Sequence, residues 1–385
     1  MDDIKRLLRI DLPARQSAFL WGARKTGKTT LIRQSHPHSV VFDLLKSDLF
    51  LDFSKKPALF RERVLALPDA VLKQPIVLDE AQKVPQLMDE VHGLIENKGL
   101  RFILCGSSAR KLKRGHANLL GGRAWRYELF PLTSAEIGRI DLLRALNHGL
   151  LPDHYLSKEP GRSLKAYVQD YLKEEVFAEG LARNVPAFSR FFDAMAYSHG
   201  ELVNYANIAR DCGVDAKTVR EYYQILVDTL VGIRVEPFIK RPGREVISHA
   251  AKFYLFDVGV AGHIRKRRIG EERGEEFGRA FEHFILMEML AYRSYREREF
   301  DVRFWRTKKG VEADFVLGDG EVVIEVKGSH RIDSRDFRGL DGFIEDHRPK
   351  KAILVCNERE KRLHGKIVVL PWRHFLDDLW QGKIL

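Results

Sequence analysis

The stretch that most constrains this chain is Gly22-Ala23-Arg24-Lys25-Thr26-Gly27-Lys28-Thr29, which lies between the apolar run "SAFLW" and "TLIRQ". A glycine-rich turn between a buried strand and a helix N-terminus gathers backbone N–H groups around an anion, and this spacing is the one that cradles a nucleotide's phosphates. Residue frequencies give a chance match in about one of a hundred chains of this length. Lys28 then reaches the β and γ oxygens and Thr29 binds Mg²⁺, while Gly22, Ala23, Arg24, Lys25, Thr26, Gly27 and Thr30 form the cradle. The expected ligands are ATP and Mg²⁺.

Such a loop needs a sheet to present it. From residue 17 to 131 the short apolar runs "SAFLWG", "SVVFDL", "PIVLDEA", "RFILCGSS" and "AWRYELF" alternate with longer helical stretches. Buried strands separated by helices predict a parallel sheet covered on both faces. The third run ends in Asp79-Glu80, where one carboxylate holds Mg²⁺ and the next polarises an attacking water. The fourth ends in Ser107-Ser108, hydroxyls suited either to sensing the γ-phosphate or to ordinary turn hydrogen bonds.

After "PLTSAEIGRI" the pattern turns helical to about residue 198. In "NIARDCGVDAKTVREYYQILVDTL" the small Ala209, the turn-forming Gly213 and the apolar Val219 suit two helices crossing through a short turn. "GIRVEPFIKRPGREVISH" reads next as two strands around Pro242-Gly243, a wing beside the helix pair. Lys217, Arg220 and Gln224 suit DNA contact but stand among Asp211, Asp215 and Glu221; Lys240, Arg241 and Arg244 make the wing more basic. The expected domains are residues 1–131, 132–198, 199–265 and 266–385.

The last of these carries a second constellation, in "EADFVLGDGEVVIEVKG". Strand alternation puts Glu325 and Lys327 on one face of "VVIEVK", and the Gly318-Asp319-Gly320 turn brings Asp314 of the preceding strand alongside. Two carboxylates and a lysine can hold Mg²⁺ or Mn²⁺ and act on a nucleophilic water, as phosphodiester cleavage requires. Glu282 lies on a helical stripe with Gly278, Ile285 and Met289, where an unpaired carboxylate is costly and calls for a cation or donor.

Composition narrows the setting. The net charge of +11 and isoelectric point near 9.4 favour attraction to nucleic acid. Cys105, Cys212 and Cys356 are too scattered for a disulfide framework or zinc ribbon. No run approaches the roughly 20 apolar residues of a membrane span, and "MDDIKRLLRI" lacks the features of a signal peptide, so a cytoplasmic protein without membrane contact is expected.

Residues 17–131 resemble the AAA-type P-loop ATPases of the additional-catalytic-glutamate division. The whole chain is similar to a bacterial and archaeal family that joins this ATPase to a C-terminal domain of unknown function. The resemblance rests on "GARKTGKTT", "VLDEAQ", "LCGSSARKL", "GGRAWRYELFPLTSAEI", "NIARDCGVDAKTVREYY", "KFYLFDVGV", "FWRTKKGVEADFVL" and "IEVKGS". It implies Lys28 and Thr29 on phosphate and Mg²⁺, Asp79 on Mg²⁺, Glu80 as the water-polarising base and Ser107 or Ser108 as sensor. It also implies Arg123 as an arginine finger supplied in trans within a homo-oligomer, with Arg126 as rival. Glu282, Asp314, Glu325 and Lys327 resemble the PD-(D/E)xK nuclease set, with Ala313 where that pattern has proline. The implied fold class is α/β: a P-loop NTPase parallel sheet, an α-helical middle with a winged helix, and a restriction-endonuclease-like C-terminal domain. Two functions follow, a Mg²⁺-dependent ATPase controlling a DNA-directed nuclease-like domain, or an ATP-gated scaffold that binds DNA or protein and whose C-terminal site is inactive. A helicase or translocase fits less well, since no further helicase motif is present.

Overall fold

The computed structural model describes residues 4–108, 120–172, 185–240, 246–247 and 249–385. They form two compact units, one running to Pro131 and including Asp228–Val231, the other made of Leu132–Val227 and Gly232–Leu385.

In the first unit five strands, β1 (Ser17–Trp21), β2 (Val41–Asp43), β3 (Ile76–Asp79), β4 (Phe102–Gly106) and β5 (Ala124–Glu128), form one sheet in the order β2-β3-β4-β1-β5. Every neighbouring pair is parallel, as the alternating runs predict. β1, β3 and β4 are buried at every residue, which is why they read as unbroken apolar runs. Helix α1 (Lys28–Ser35) leaves the glycine-rich loop, and α2 (Leu87–Lys98) packs Val91, Leu94 and Ile95 into a core with Leu78, Phe102 and Leu104. Because the strands are parallel, the loops after β1, β3 and β4 emerge at one edge of the sheet.

The second unit starts with short helices. The first, Ser134–Ile137, is stopped at its N-terminus by a reciprocal capping box between Thr133 and Glu136. Helices α3 (Tyr205–Cys212) and α4 (Ala216–Asp228) form the expected helix pair, capped by Asn204 and by Asp215, whose carboxylate accepts from the Thr218 N–H at 2.8 Å.

The expected wing takes a different form. Strand β6 (Gly232–Val235) pairs antiparallel with β7 (Lys252–Leu255). The Phe238 N–H donates to the Phe304 carbonyl at 2.6 Å and the Ile247 N–H to the Arg306 carbonyl at 2.8 Å. Both segments therefore dock on β8 (Val302–Arg306), the outermost strand of a sheet, whose free edge offers unpaired backbone groups. Pro242, Gly243, Arg241 and Arg244 lie outside the described residues.

Beyond β7 come α5 (Val258–Ile264) and α6 (Glu275–Tyr295). The second sheet adds to β8 the strands β9 (Glu312–Leu317), β10 (Val322–Lys327), β11 (Lys351–Cys356), β12 (Arg362–His364) and β13 (Ile367–Pro371), in the order β12-β13-β11-β10-β9-β8. β8, β9 and β10 run antiparallel, whereas β10, β11 and β13 are parallel. Helix α6 packs on β10, and α7 (Arg338–His347) lies across β9, β10 and β11, with Leu340 and Phe343 meeting Val316, Val323 and Leu354. Helix α8 (Trp372–Trp380) ends the unit. Among the described residues, no helix is long and apolar enough to cross a membrane.

Candidate nucleotide site and carboxylate cluster

The glycine-rich loop follows β1 and ends at Gly27, whose φ of 94° lies where only glycine is unstrained and lets the chain turn into α1. Lys28 folds back over this loop and donates from Nζ to the carbonyls of Gly22 at 2.7 Å and Ala23 at 3.3 Å. Thr29 Oγ1 donates to Asp79 Oδ2 at 3.0 Å, joining the loop to the end of β3. Burial, then the neighbouring Glu80, push the Asp79 carboxyl above its usual range, while the Thr29 hydrogen bond and Lys28 oppose them. Arg24 and Thr30 are half-buried, and Lys25 is exposed.

Glu80 and Ser107 meet through a residue that sequence reasoning gave no role. Gln82 Nε2 donates to Glu80 Oε2 at 2.5 Å and to Ser107 Oγ at 3.2 Å; Ser107 itself lies 3.4 Å from Glu80 Oε2. All three are buried, as is Ser108. The signal for Gln82 was present in "VLDEAQ", but only the fold turns it back onto its neighbour two residues earlier. Arg6 had no sequence signal at all. Its guanidinium holds the Thr26 carbonyl at 2.5 Å and the Phe130 carbonyl at 2.7 Å, fixing the loop to the chain that follows β5.

Arg123 lies elsewhere. Its carbonyl accepts from the Ser17 N–H at 3.0 Å, so it sits at the start of β5, at the sheet edge opposite the glycine-rich loop. There it pairs with Glu96. Arg126 is exposed in mid-strand, opposite Phe19.

In the second unit, Asp314 on β9 and Glu325 on β10 are 8% and 6% exposed, deep enough that their charges need partners. Asp314 Oδ2 accepts from the Val326 N–H at 2.8 Å, and Glu325 Oε1 accepts from Lys327 Nζ at 2.5 Å. Glu325 Oε2 is buried without a hydrogen-bond partner. Burial, then Glu325 and Glu282, drive the Asp314 carboxyl far up. Burial also raises Glu325, against the pull of Lys327. For Lys327, burial works to lower the pKa and Glu325 overrides it, so the ammonium stays charged. The structure therefore brings Glu282, Asp314, Glu325 and Lys327 together.

It adds partners that the sequence reading missed. Lys252 Nζ, on β7, stands 2.6 Å from Glu312 Oε1 and 3.5 Å from Glu282 Oε1. The Tyr254 hydroxyl donates to Glu282 Oε1 at 2.6 Å, and Arg306 Nη1 lies 3.0 Å from Glu312 Oε2. Helix α7 comes close enough to roof this cluster because residue 339 is glycine. A Cβ there would fall 1.8 Å from the Glu312 carbonyl oxygen and 3.1 Å from Glu325 Oε2. Among the described residues, no group of three or more His, Cys, Asp or Glu is arranged to hold a metal ion, so any ion here would rest on fewer carboxylates. A cavity of about 760 Å³ is lined by Lys308, Lys309, Arg335 and Arg338 together with Asp341 and Glu345, on the turn entering β9 and on α7 and the turn before it. In the helix pair Arg220 lies over the Tyr205 ring, and beyond β6 Lys240 pairs with Asp319.

Comparison with known proteins accords with the first unit. Residues 14–138 match a family described as AAA domain, residues 139–270 a domain of unknown function, DUF8612, and residues 277–375 another, DUF4143. The chain is 27% identical over 382 residues to uncharacterized proteins of Mycobacterium tuberculosis and Mycobacterium bovis, covering 96% of this chain and 83% of each. It is 20% identical over 365 residues to an uncharacterized protein of Haemophilus influenzae, covering 88% of both. The Aeropyrum pernix ORC1 protein, solved in complex with DNA, aligns over 65% of this chain and 86% of its own at 11% identity. With a TM-score of 0.24, that alignment is too loose to bear on the fold. Residues 14–138 thus form an AAA-type, ATPase-like domain.

Proposed function

We propose that this protein is a Mg²⁺-dependent ATPase whose nucleotide state controls a nuclease-like, DNA-directed C-terminal domain. The observation that carries the reading is the hydrogen bond from Thr29 to Asp79, with Glu80 held beside it by Gln82 and Ser107. The donor set fits the ion: a hydroxyl and a buried carboxylate penalised for its charge stand next to the phosphate loop. Mg²⁺, when bound there, neutralises charge on the β- and γ-phosphates. Lys28 exchanges its loop carbonyls for phosphate oxygens, and Glu80 orients and polarises the attacking water. Ser107, and Ser108 beside it, report the γ-phosphate to Glu80 through Gln82. Arg123, at the far edge of its own sheet, acts on the site of a neighbouring copy in a homo-oligomer.

For the C-terminal site the supporting observation is the orphaned Glu325 Oε2 beside Asp314. Mg²⁺ is commonly held by one or two carboxylates together with water and substrate phosphate, which this pair matches. Mg²⁺ or Mn²⁺, when bound, supplies Lewis acidity to a phosphodiester and lowers the pKa of water. Lys327 stabilises the developing charge, and Lys308, Lys309 and Arg338, which outnumber Asp341 and Glu345 in the cavity lining, receive the DNA backbone. A second reading, an ATP-gated scaffold with an inactive C-terminal site, draws support from the lysines that already neutralise the carboxylates. Purified protein incubated with varied DNA and RNA, Mg²⁺ or Mn²⁺, with and without ATP, separates the two. Cleavage that disappears in Lys327→Ala supports the nuclease reading; uncut substrates under every condition leave the scaffold.

A further inference from the structure

Lys252 is the least expected residue in the carboxylate cluster. It is 4% exposed, and β7 is not a strand of the six-stranded sheet that carries Glu312, Asp314 and Glu325. Its ammonium lies between Glu312 of β9 and Glu282 of α6, and Tyr254, two residues along the same strand face, donates to Glu282. Burying a charge this completely is costly unless partners compensate it, so its placement among carboxylates from separate elements is specific. The carboxylates fall into two pairs. Glu325, beside Asp314, keeps an unpartnered Oε2, whereas Glu282 and Glu312 are both engaged by one lysine.

We propose that Lys252 is a built-in cation occupying the place of a second divalent ion, so that the C-terminal site accepts a single metal, at Asp314 and Glu325. Two-metal phosphodiesterases set their ions about 4 Å apart to charge both the attacking and leaving oxygens. Here a fixed ammonium takes one of those positions and leaves Lys327 to face the substrate. This inference rests on the metal-binding reading of Asp314 and Glu325, and its test is built to fail separately from that reading.

The test counts bound Mn²⁺ by electron paramagnetic resonance in the nucleotide-free full-length protein. Lys252→Met binds one more Mn²⁺ per chain than wild type, because Lys252 is the cation shared by Glu282 and Glu312 and Arg306 engages only Oε2 of Glu312. Lys252→Arg, which keeps the charge, binds the wild-type number. If Lys252→Met does not fold in chelator, Mn²⁺ restores its far-ultraviolet circular dichroism, since an ion bound only by the folded state stabilises it. Lys252→Gln, which fills the space with a neutral donor, then provides the count. A folded Lys252→Met or Lys252→Gln with no extra Mn²⁺, or an unfolded Lys252→Met that Mn²⁺ leaves unfolded, overturns the inference. Wild type whose Mn²⁺ count does not change in Asp314→Asn sinks the metal reading instead, because the Lys252 comparison is a difference from wild type.

Discussion

Glu288 offers a prediction whose size can be worked out. It sits on α6, 2% exposed, where Oε1 accepts from the Ser134 N–H at 2.7 Å and Oε2 from Ser134 Oγ and Trp380 Nε1, both at 2.8 Å. Burial raises its carboxyl from 4.5 to about 7, despite the hydrogen bonds from Trp380 and Ser134 that favour the charged form. Between those values the folded chain keeps a proton that the unfolded chain releases, so stability falls as pH rises through the window. The full effect of such a shift is about 3 kcal/mol, of which about 2.5 kcal/mol is lost between pH 5 and pH 8. In Glu288→Gln the side chain is neutral at every pH. The variant carries a pH-independent penalty of about 1–2 kcal/mol for mismatched hydrogen bonds, but lacks this slope. Urea unfolding of both proteins across that range, followed by circular dichroism, isolates the group, since all other titrations cancel in the difference. The wild type should lose about 2.5 kcal/mol relative to the variant. Parallel stability curves would refute the reasoning, showing that the three donors hold Glu288 ionised throughout.

The remaining predictions concern nucleotide turnover. Lys28→Ala should bind no fluorescent ATP analogue, whereas Glu80→Gln should bind it normally and hydrolyse ATP at least ~10²-fold more slowly; unchanged turnover would remove Glu80 as the base. Arg123→Ala should also be slow, and mixing it with Lys28→Ala should recover part of the activity, because each copy then supplies what its neighbour lacks. No recovery on mixing, with assembly intact, would argue against action in trans.

What could be read in the sequence was local. The phosphate loop and Asp79-Glu80 each compress a function into adjacent residues, and the fully buried strands beside them show as apolar runs. The pairing of Asp314 with Glu325 was readable because a short turn and the pleat leave little freedom. Gln82 and Arg6 were not readable, since the first depends on side-chain direction and the second on a segment after β5 that lies 124 residues away. The strand that pairs with β6, Lys252–Leu255, lies further along the chain than the wing reading placed it, for another reason. Pro242-Gly243 is a sound turn signal, but the flanking segments pair with β8, whose free edge competes with the hairpin, and nothing in a local window records that competitor.

The same competition explains why the carboxylate site is poorly described by any one stretch of chain. Backbone bridges tie Pro237 to Phe304 and Val246 to Thr307, so the segment after the helix pair is fastened to the second sheet. That fastening delivers Lys252 and Tyr254 to Glu282 and Glu312. A boundary at residue 266 therefore passes through the site, separating Glu282 and Glu312 from the lysine they share. Lys252 is 4% exposed, and a charge buried that deeply costs several kcal/mol once its partners are removed, so β7 and the six-stranded sheet are energetically coupled. Any movement of β7 alters the charge that Glu282 and Glu312 present.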